Sequence, residues 1–319
     1  MESHTVGRVS ASAAPVLGTA DRRLMLVHAH PDDETINNGV TMAKYAAEGA
    51  EVCLVTCTLG EEGEVLVDDL SHLASDRQDD LGQHRLGELK QAMDILGVTD
   101  FVRLGADGRF RDSGMAYDER GYTVPRDELR EDTFWATDLL EASTELVPLI
   151  RQRRPQVLIT YNEIGGYGHP DHIQAHRVTM YGYLLAGVAS YRRDLGEPWS
   201  VPRVLWATFS RGKTAETIRL LREAGDTETM QGFDPGGPLE SLTTPDEDIA
   251  AAIDGGPYVG RKLDAMRAHA TQITPDGPFF ADQALLGDSR WSIEYYLLAA
   301  GQPFPQADGW ADDLFAGLS

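Results

Sequence analysis

The feature that most constrains this chain is a pattern that occurs twice: an apolar run, a loop containing His-Pro-Asp, and a helical pattern. The first copy, His28–Glu34, follows the apolar run Leu24–Val27. The second copy, Gly165–His172, follows the apolar run Val157–Tyr161. Apolar runs of this length are typical of strands buried in a parallel sheet. In such α/β proteins the ligands bind at the carboxyl ends of the strands. We therefore expect the two copies to form the two halves of one site.

The alternation of strand and helix patterns between Leu24 and about Arg177 predicts an α/β fold with a Rossmann-like, mostly parallel sheet flanked by helices. Past this region the alternation is weaker. The predicted strands are 24–29, 51–58, 100–104, 156–161 and 202–210, and the predicted helices are 37–48, 71–96, 133–153, 171–185, 214–224 and 258–269. We predict a disordered tail over 1–22, a catalytic core over 23–195, and a smaller C-terminal portion over 196–319 that completes the sheet and covers the substrate pocket.

The net charge of the chain excludes some classes of binding partner. A formal net charge of −23 at pH 7 argues against nucleic acid and anionic membranes, because both are bound through clustered Lys and Arg. No apolar run approaches the ~20 residues that span a bilayer, and the N-terminal segment lacks the apolar region of a signal peptide. We therefore expect a cytoplasmic protein that acts on a small molecule, with homo-oligomerisation left open.

Several polar features are expected to be structural. Cys53 and Cys57 lie four residues apart on one predicted strand, so their Cα atoms are about 13 Å apart, beyond the reach of a disulfide. We expect two buried thiols. The acidic run Glu61–Glu64 is expected to be a solvated turn. His28 alternates with His30 along the strand and is expected to face the other way and to pack.

The residue types of the two motifs predict a metal site. Two imidazoles and one carboxylate suit Zn²⁺ and leave one position open for water, which is the catalytic pattern. We predict one divalent metal bound by His30, Asp33 and His172. Asp32 is predicted to be the general base, acting on a water whose pKa the metal lowers to about 7. A protonated His169 is expected to stabilise an oxyanion from the opposite side. Fe²⁺ accepts the same ligands.

Alternatives remain for this set. Asp33 and Asp171 could each simply cap a helix; otherwise Asp171 holds His169. Two histidines and a carboxylate also describe the ferrous oxygenase triad, but such triads usually lie on β-barrels, which the alternating pattern does not resemble. The first turn lacks Gly-x-Gly-x-x-Gly, which argues against a dehydrogenase. Hydrolysis is favoured because a base, an oxyanion donor and one open metal position are all available.

Four further side chains are weaker candidates. Arg85 lies beside the apolar stripe of the predicted helix 71–96 and is either a surface arginine or a clamp for a substrate. Asp112 and Met115 could line a pocket, although Asp112 could also close a local turn. Tyr167 precedes His169 by two residues and can direct its hydroxyl at the same oxyanion.

Five stretches of the chain resemble the LmbE/PIG-L superfamily of metal-dependent N-deacetylases, and most closely its branch in mycothiol biosynthesis. They are Val27–Glu34, Thr56–Val65, Arg111–Met115, Gly165–His172 and Ala268–Gln272. Together they cover most of Leu24 to Thr179 and one string late in the chain. The resemblance implies deacetylation of N-acetyl-glucosaminyl-inositol to glucosaminyl-inositol and acetate.

The resemblance also implies roles for single residues. The metal falls on His30, Asp33 and His172, and the base on Asp32, as the residue types alone predict. It further assigns oxyanion stabilisation to His169 and Tyr167, the tuning of His169 to Asp171, and sugar contacts to Arg85, Asp112 and Met115.

Three other functions stay open. Mycothiol S-conjugate amidases share the metal and base, but they tend to carry a lysine soon after the second aspartate and a proline before the second histidine motif. This chain has no lysine in Thr35–Asn38 and has Gly168 at the proline position. The chain could also deacetylate another N-acetylglucosamine metabolite. A sugar-binding module with a structural metal is disfavoured by Asp32 beside a three-ligand site.

Overall fold

The structure is a computed structural model that describes residues 17–233, 237, 239–281, 283–306 and 308–319. Its strands are β1 (Arg23–His28), β2 (Glu51–Thr56), β3 (Asp100–Arg103), β4 (Ala116–Tyr117), β5 (Thr123–Val124), β6 (Val157–Thr160), β7 (Arg203–Ser210), β8 (Thr243–Thr244), β9 (Ala251–Asp254) and β10 (Ile293–Gly301). Its helices are α1 (Asp33–Ala47), α2 (Leu81–Leu96), α3 (Leu139–Arg153), α4 (Gly165–Gly168), α5 (Pro170–Gly187), α6 (Arg211–Glu223), α7 (Val259–Ala268) and α8 (Gln283–Leu286).

Within the described residues, one mostly parallel sheet runs in the order β3-β2-β1-β6-β7-β10-β9, with β8 beside β7. All pairs from β3 to β7 are parallel. β10 pairs antiparallel with β7 and with β9, so the C-terminal strands extend the sheet of the N-terminal half. β4 and β5 form a separate hairpin. The α/β fold with a mostly parallel sheet is confirmed.

Helices cover both faces of the sheet. One face packs α1, α2 and α7 against the sheet through residues such as Met42, Leu89 and Ala265. The other face packs α3 and α5 through residues such as Leu146 and Val178. Since both faces are covered, the central strands are buried on both sides, and this explains their continuous apolar runs. Cys53 and Cys57 are free and buried, as expected.

Two predicted helices begin later than expected. The helix predicted from residue 71 begins at Leu81, because a 3₁₀ turn (Asp68–Leu73) and a polar run come first. Asp79 in that run has a φ of 57°, a left-handed conformation that no helix continues through. The helix predicted from residue 133 begins at Leu139, where the Asp138 side chain accepts a hydrogen bond from the Glu141 amide.

Other predicted segments change in extent or type. The first helix begins at Asp33, not at residue 37, so the last residues of the first motif are helical. Residues Ile293–Gly301 form β10, although no strand is predicted there. Of the predicted tail over 1–22, residues 1–16 lie outside the described residues, and Thr19–Asp21 forms a 3₁₀ turn. Among the described residues, no helix is long and apolar enough to cross a membrane.

Candidate metal centre

The two His-Pro-Asp motifs meet because of the strand order. β1 lies between β2 and β6, and the chain goes to opposite sides of β1 for its later strands. Such a point, where the strand order reverses, opens a crevice at the carboxyl edge of an α/β sheet. The first motif leaves β1 there, and the second follows β6 after a short loop. The topology therefore brings together residues about 140 positions apart in the chain.

Asp33 lies between His30 and His172. Its Oδ2 is 3.3 Å from His30 Nδ1, and its Oδ1 is 3.3 Å from His172 Nε2. The backbone amide of His30 also donates to Asp33 Oδ2 at 3.0 Å. The structure thus brings together the three residues predicted to bind the metal, and all three are buried.

The two ring nitrogens of His172 give the most direct indication that the cluster can bind a metal. Its Nδ1 contacts the backbone carbonyl of Gly165 at 3.2 Å, which fixes the orientation of the ring. Its buried Nε2 has no hydrogen-bond partner within the described part of the chain. Metal-binding histidines commonly have one ring nitrogen fixed by a carbonyl or carboxylate, which directs the other nitrogen at the metal. The residues present therefore fit a divalent metal.

Two further carboxylates face the other side of His30. Its Nε2 is 3.3 Å from Asp171 Oδ2 and 3.5 Å from Asp112 Oδ1. Nitrogen atoms of His30, His169 and His172 also lie within 4.8 Å of one another, and so do ligand atoms of His30, Asp112 and Asp171. The sequence predicts a pocket or local-turn role for Asp112 but not its contact with His30, because that contact depends on how the 105–132 loop folds back over the sheet.

The acids around His30 shape its charge. Burial opposes the protonated form of His30, but Asp112, Asp171 and Asp33 raise its pKa well above its ordinary value. Burial likewise opposes ionised Asp33 and Asp112, yet the neighbouring imidazoles hold the pKa of each well below its usual range. The cluster thus pairs ionised carboxylates with cationic charge, which a divalent ion can supply in place of the imidazole proton.

Asp32, the predicted base, has an unusual backbone. Its φ of 129° and ψ of −36° are rarely adopted by residues other than glycine. Its Oδ2 accepts a hydrogen bond from Arg85 Nη2 at 3.0 Å. Burial raises the pKa of Asp32 to about 6, against the opposing charge of Arg85. Asp32 therefore lies beside the cluster as a carboxylate that can take up a proton near neutral pH.

His169 differs from its predicted state. Burial, together with His30 and His172, lowers its pKa well below the ordinary value, so the imidazole is neutral here, whereas an imidazolium was expected. Its Nδ1 accepts a hydrogen bond from the Asp171 amide at 3.1 Å and so caps α5. The proton of the neutral ring is then on Nε2, which remains a hydrogen-bond donor.

Asp171 also differs from the prediction. Its carboxylate was expected to hold the His169 ring or to cap the helix. Instead Asp171 Oδ2 accepts from the Ser113 amide at 2.8 Å, and Oδ1 accepts from Ser113 Oγ at 2.5 Å. The carboxylate is drawn to Ser113 because that residue offers two donors on the loop packed over the site. The link from Asp171 to His169 is the backbone amide alone.

Tyr167 lies at the rim of the cluster. Its ring meets the rings of His172 and His169 edge-on, with centroid separations of 5.1 and 6.2 Å. Burial and nearby Asp33 raise its pKa above the ordinary value, so the phenol stays protonated and can donate a hydrogen bond. Both Tyr167 and His169 line the same cavity as Asp32.

Arg85 is not a surface residue. Only 2% of it is exposed, and its guanidinium donates to the carbonyls of Gly60 and Pro31 as well as to Asp32. The surface alternative for Arg85 is therefore wrong. Asp112 is also buried, and its carboxylate accepts from the amides of Glu62 and Gly114 at 3.1 and 2.8 Å.

Two acids of the turn after β2 are not solvated as expected, whereas Glu64 is exposed. Glu61 is buried and accepts a hydrogen bond from the Asp112 amide at 2.9 Å. Glu62 pairs with Arg111 at 2.7 Å and with Arg126 at 2.8 Å. These contacts bind the turn to the loop that carries Asp112, so the acids hold two walls of the site together.

The cluster opens into a cavity of about 1340 Å³. One wall is polar and carries Asp32, Arg85 and Asp112, with Met115 beside them. Further apolar lining comes from residues of the C-terminal half, namely Phe209, Leu242, Phe279 and Trp291. The C-terminal half thus contributes to the walls of the cavity around the two motifs.

Three residues near the site escaped sequence reasoning. Tyr161 stacks on His172 with ring centroids 4.3 Å apart, and its hydroxyl accepts from the Ala29 amide. Its place directly after β6 was the available signal. Glu34 and His269 form a buried pair behind Asp32. Glu34 ends the first motif and His269 lies in the string Ala268–Gln272, but nothing local indicates that they touch.

Comparisons with known proteins identify the relatives of this chain. The family described as PIG-L, GlcNAc-PI de-N-acetylase, matches residues 25–182. A protein of Kribbella flavida named 1D-myo-inositol 2-acetamido-2-deoxy-α-D-glucopyranoside deacetylase is 56% identical, over 93% of this chain and 98% of its own length. A protein of the same name from a Nocardioides species is 55% identical, over 94% of this chain and 100% of its own.

Solved structures share the fold at low identity. N,N′-diacetylchitobiose deacetylase of Pyrococcus horikoshii is similar with a TM-score of 0.55 and 17% identity, covering 87% of this chain and 82% of its own. A 4-carboxy-2-hydroxymuconate hydratase of Pseudomonas putida is similar with a TM-score of 0.53 and 15% identity, covering 90% and 99%. Since two chemistries occur on one fold, these structures support the fold alone, and function must be argued from the site.

Proposed function

The chain belongs to the PIG-L family of GlcNAc-PI de-N-acetylases, and we propose that it hydrolyses the acetamide of 1D-myo-inositol 2-acetamido-2-deoxy-α-D-glucopyranoside (GlcNAc-inositol) to acetate and the free amine. Relatives 56% and 55% identical over nearly their whole length carry that name. The observation that carries the proposal is the buried His30–Asp33–His172 cluster beside Asp32, at the floor of a cavity large enough for a sugar conjugate.

We propose His30, Asp33 and His172 as the ligands of one divalent metal. The support is the short contacts of Asp33 to both imidazoles and the buried His172 Nε2, which lacks a hydrogen-bond partner among the described residues. When bound, Zn²⁺ would polarise the amide carbonyl and acidify a water, and Fe²⁺ fits the same donors. In this proposal Asp112 and Asp171 stay behind His30 and hold its ring, as carboxylates commonly do for metal-binding histidines.

Asp32 would act as the base. With a pKa of about 6 it is mostly a carboxylate at neutral pH, yet basic enough to take a proton from the attacking water. Arg85 holds Asp32 Oδ2, which leaves Oδ1 to face the water. The water oxygen bonds to the amide carbon, the C–N bond breaks, and the proton held by Asp32 passes to the departing nitrogen. The products are acetate and the amine, with no other reactant consumed.

The negative charge that develops on the carbonyl oxygen needs donors. His169 Nε2 carries the ring proton and Tyr167 keeps its hydroxyl proton, so each can donate a hydrogen bond to that oxygen. We assign sugar binding to the polar wall with Arg85, Asp112 and Met115. Arg85 then both contacts the sugar and restrains Asp32.

Hydrolysis of a mycothiol S-conjugate is a second candidate. Pockets of about 300–1,000 Å³ are typical of drug-sized ligands, and the cavity here measures about 1340 Å³ with an apolar wall that includes Phe209, Phe279 and Trp291. This extra space favours a substrate with an apolar extension next to the same amino sugar. The metal and base would serve either amide.

The test compares two substrates and two metals. Acetate release from GlcNAc-inositol and cleavage of a mycothiol S-conjugate are measured on metal-stripped protein, and again with Zn²⁺ or Fe²⁺ restored. We expect metal-dependent acetate release that exceeds conjugate cleavage. Faster conjugate cleavage would make the second candidate the main activity. Full acetate release by the stripped protein would contradict the metal proposal.

A further inference from the structure

The backbone of Asp32 needs support from its surroundings. A non-glycine residue with a φ of 129° keeps that conformation only when neighbouring groups hold it. The carbonyl of Asp32 accepts from the amides of Thr35 and Ile36, which are the first turn of α1. The amide of Asp32 donates to Glu34 Oε2 at 2.9 Å. The Glu34 carboxylate therefore holds the amide end of the Pro31–Asp32 peptide, while Arg85 donates to its carbonyl end.

Glu34 is in turn held from the far end of the chain. Its Oε1 is 2.9 Å from Nε2 of His269, 235 positions later in the sequence. Both side chains are 0% exposed. A buried carboxylate is costly unless donors surround it. The Asp32 amide and the His269 imidazole are those donors, so removing the imidazole leaves Glu34 free to turn away from Asp32.

The mechanism proposed above uses neither residue. Glu34 and His269 touch no group of the His30–Asp33–His172 cluster by hydrogen bond, and neither lines the cavity. Their described side-chain hydrogen bonds run from the His269 ring through the Glu34 carboxylate to the amide of Asp32. Two buried polar side chains that together hold the backbone amide of one residue point to a requirement for the orientation of that residue.

We propose that His269, acting through Glu34, is a positioning residue that orients the Asp32 carboxylate toward the reacting water. The inference rests on the proposed function, because it takes Asp32 as the base of the hydrolysis. It adds a connection from the end of α7 to the base, across the interface between α7 and α1.

The same string supplies a matched control. Thr271, two residues after His269, donates its hydroxyl to Glu88 Oε2 at 2.8 Å and its amide to Glu88 Oε1 at 2.8 Å. This pair is also buried, but it ties the string to α2 and does not reach Asp32. Thr271→Val removes the buried hydrogen bond to Glu88 and a hydrogen bond that Gln272 Nε2 donates to the hydroxyl at 3.2 Å, and it keeps the shape of the side chain. It therefore reports what a purely structural defect in this string does.

The experiment measures kcat, KM, metal content and thermal unfolding for three variants. For His269→Leu we expect kcat to fall about 10- to 100-fold, the range for groups that orient a reactive residue, with KM and bound metal unchanged. For His269→Gln we expect kcat to recover most of the way, because the amide can donate to Glu34. For Thr271→Val we expect a lower unfolding temperature with kcat unchanged.

Three results would overturn the proposal: wild-type kcat in His269→Leu, an equal loss of kcat in Thr271→Val, or a loss in His269→Leu fully explained by lost metal. If His269→Leu does not fold, the proposal is tested by comparing kcat between His269→Gln and Glu34→Leu. Only Glu34→Leu lacks a side-chain acceptor for the Asp32 amide, so we expect the fall in kcat in that variant. Wild-type protein is assayed first. If it cleaves the S-conjugate and no acetamide, the proposed function fails, and the same ratios measured on the conjugate still test the positioning role.

Discussion

The two His-Pro-Asp motifs share three residues and use them differently. In the first, His30 faces Asp33, and Asp32 lies beside the cluster in a positive-φ conformation, with one carboxylate oxygen held by Arg85. In the second, His169 caps α5 and Asp171 is committed to Ser113, while the histidine in contact with Asp33 is His172, inside the helix. The same tripeptide thus supplies the proposed base in one loop and a capped helix start in the other.

The two loops differ in which residues occupy their positive-φ backbone positions. The second motif uses glycine wherever φ is positive, at Gly165, Gly166 and Gly168. The first has Asp32 at such a position and holds it with Glu34. Glycine is the low-strain solution when no side chain is needed. Keeping an aspartate there indicates that its carboxylate is required at that place.

The largest effect should come from the first position of each tripeptide. His30→Ala removes an imidazole in direct contact with Asp33, so we expect loss of bound metal and of activity. His169→Ala removes the proposed oxyanion donor and the cap of α5 but no proposed metal ligand, so we expect bound metal to stay and kcat to fall about 10²–10³-fold. Metal analysis after dialysis, alongside acetate release, checks both. Retained metal in His30→Ala would remove the proposed distinction between the two histidines.

The third position of each tripeptide should give the next effect. Asp32→Asn keeps the shape and removes the base, so kcat should fall about 10²–10⁴-fold, with metal retained. Asp171→Asn weakens the contact to Ser113 and the support of His30, so kcat should fall only about tenfold. Steady-state kinetics at saturating metal measure the ratio. Equal losses would mean that the two aspartates have equivalent roles.

The smallest effect concerns the glycines of the second motif. A Cβ at position 165 would lie 2.6 Å from the amide nitrogen of Ile173 in α5, at a φ of +64°. Gly49 has a φ of +92° with nothing within 4 Å of such a Cβ, so Gly49→Ala carries the conformational strain alone, about 1–2 kcal/mol. We expect Gly165→Ala to lower the free energy of unfolding by more than this control, measured by urea titration. Equal values would show that α5 moves without resistance.

The parts of the site that depend on local sequence patterns could be predicted from the sequence. The strand–loop–helix pattern placed both motifs at one sheet edge, and the structure brings His30, Asp33 and His172 into contact there. It did not reach Asp112 beside His30, because that contact depends on how a long loop folds back over the sheet. Nor did it reach His269 behind Asp32, because the pairing of the end of α7 with the start of α1 is decided by packing.

The same limit explains the errors in secondary structure. The predicted helix 71–96 is based on an apolar stripe at residues 86–96. Extending the helix from this stripe toward the N-terminus, into a polar run, is the error. In that run, Asp79 adopts a left-handed conformation and pairs with Arg111 of a distant loop. Tertiary pairing of this kind overrides the weak helical preference of the segment.

The 235-residue separation between Glu34 and His269 also affects the order in which the site matures on the ribosome. At synthesis rates of about 5–20 residues per second, His269 emerges roughly 10–50 s after Glu34. The two His-Pro-Asp loops are complete well before that, since His172 precedes His269 in the chain. The nascent chain can therefore bring the proposed metal ligands together first, and the proposed orientation of Asp32 is complete only when α7 docks.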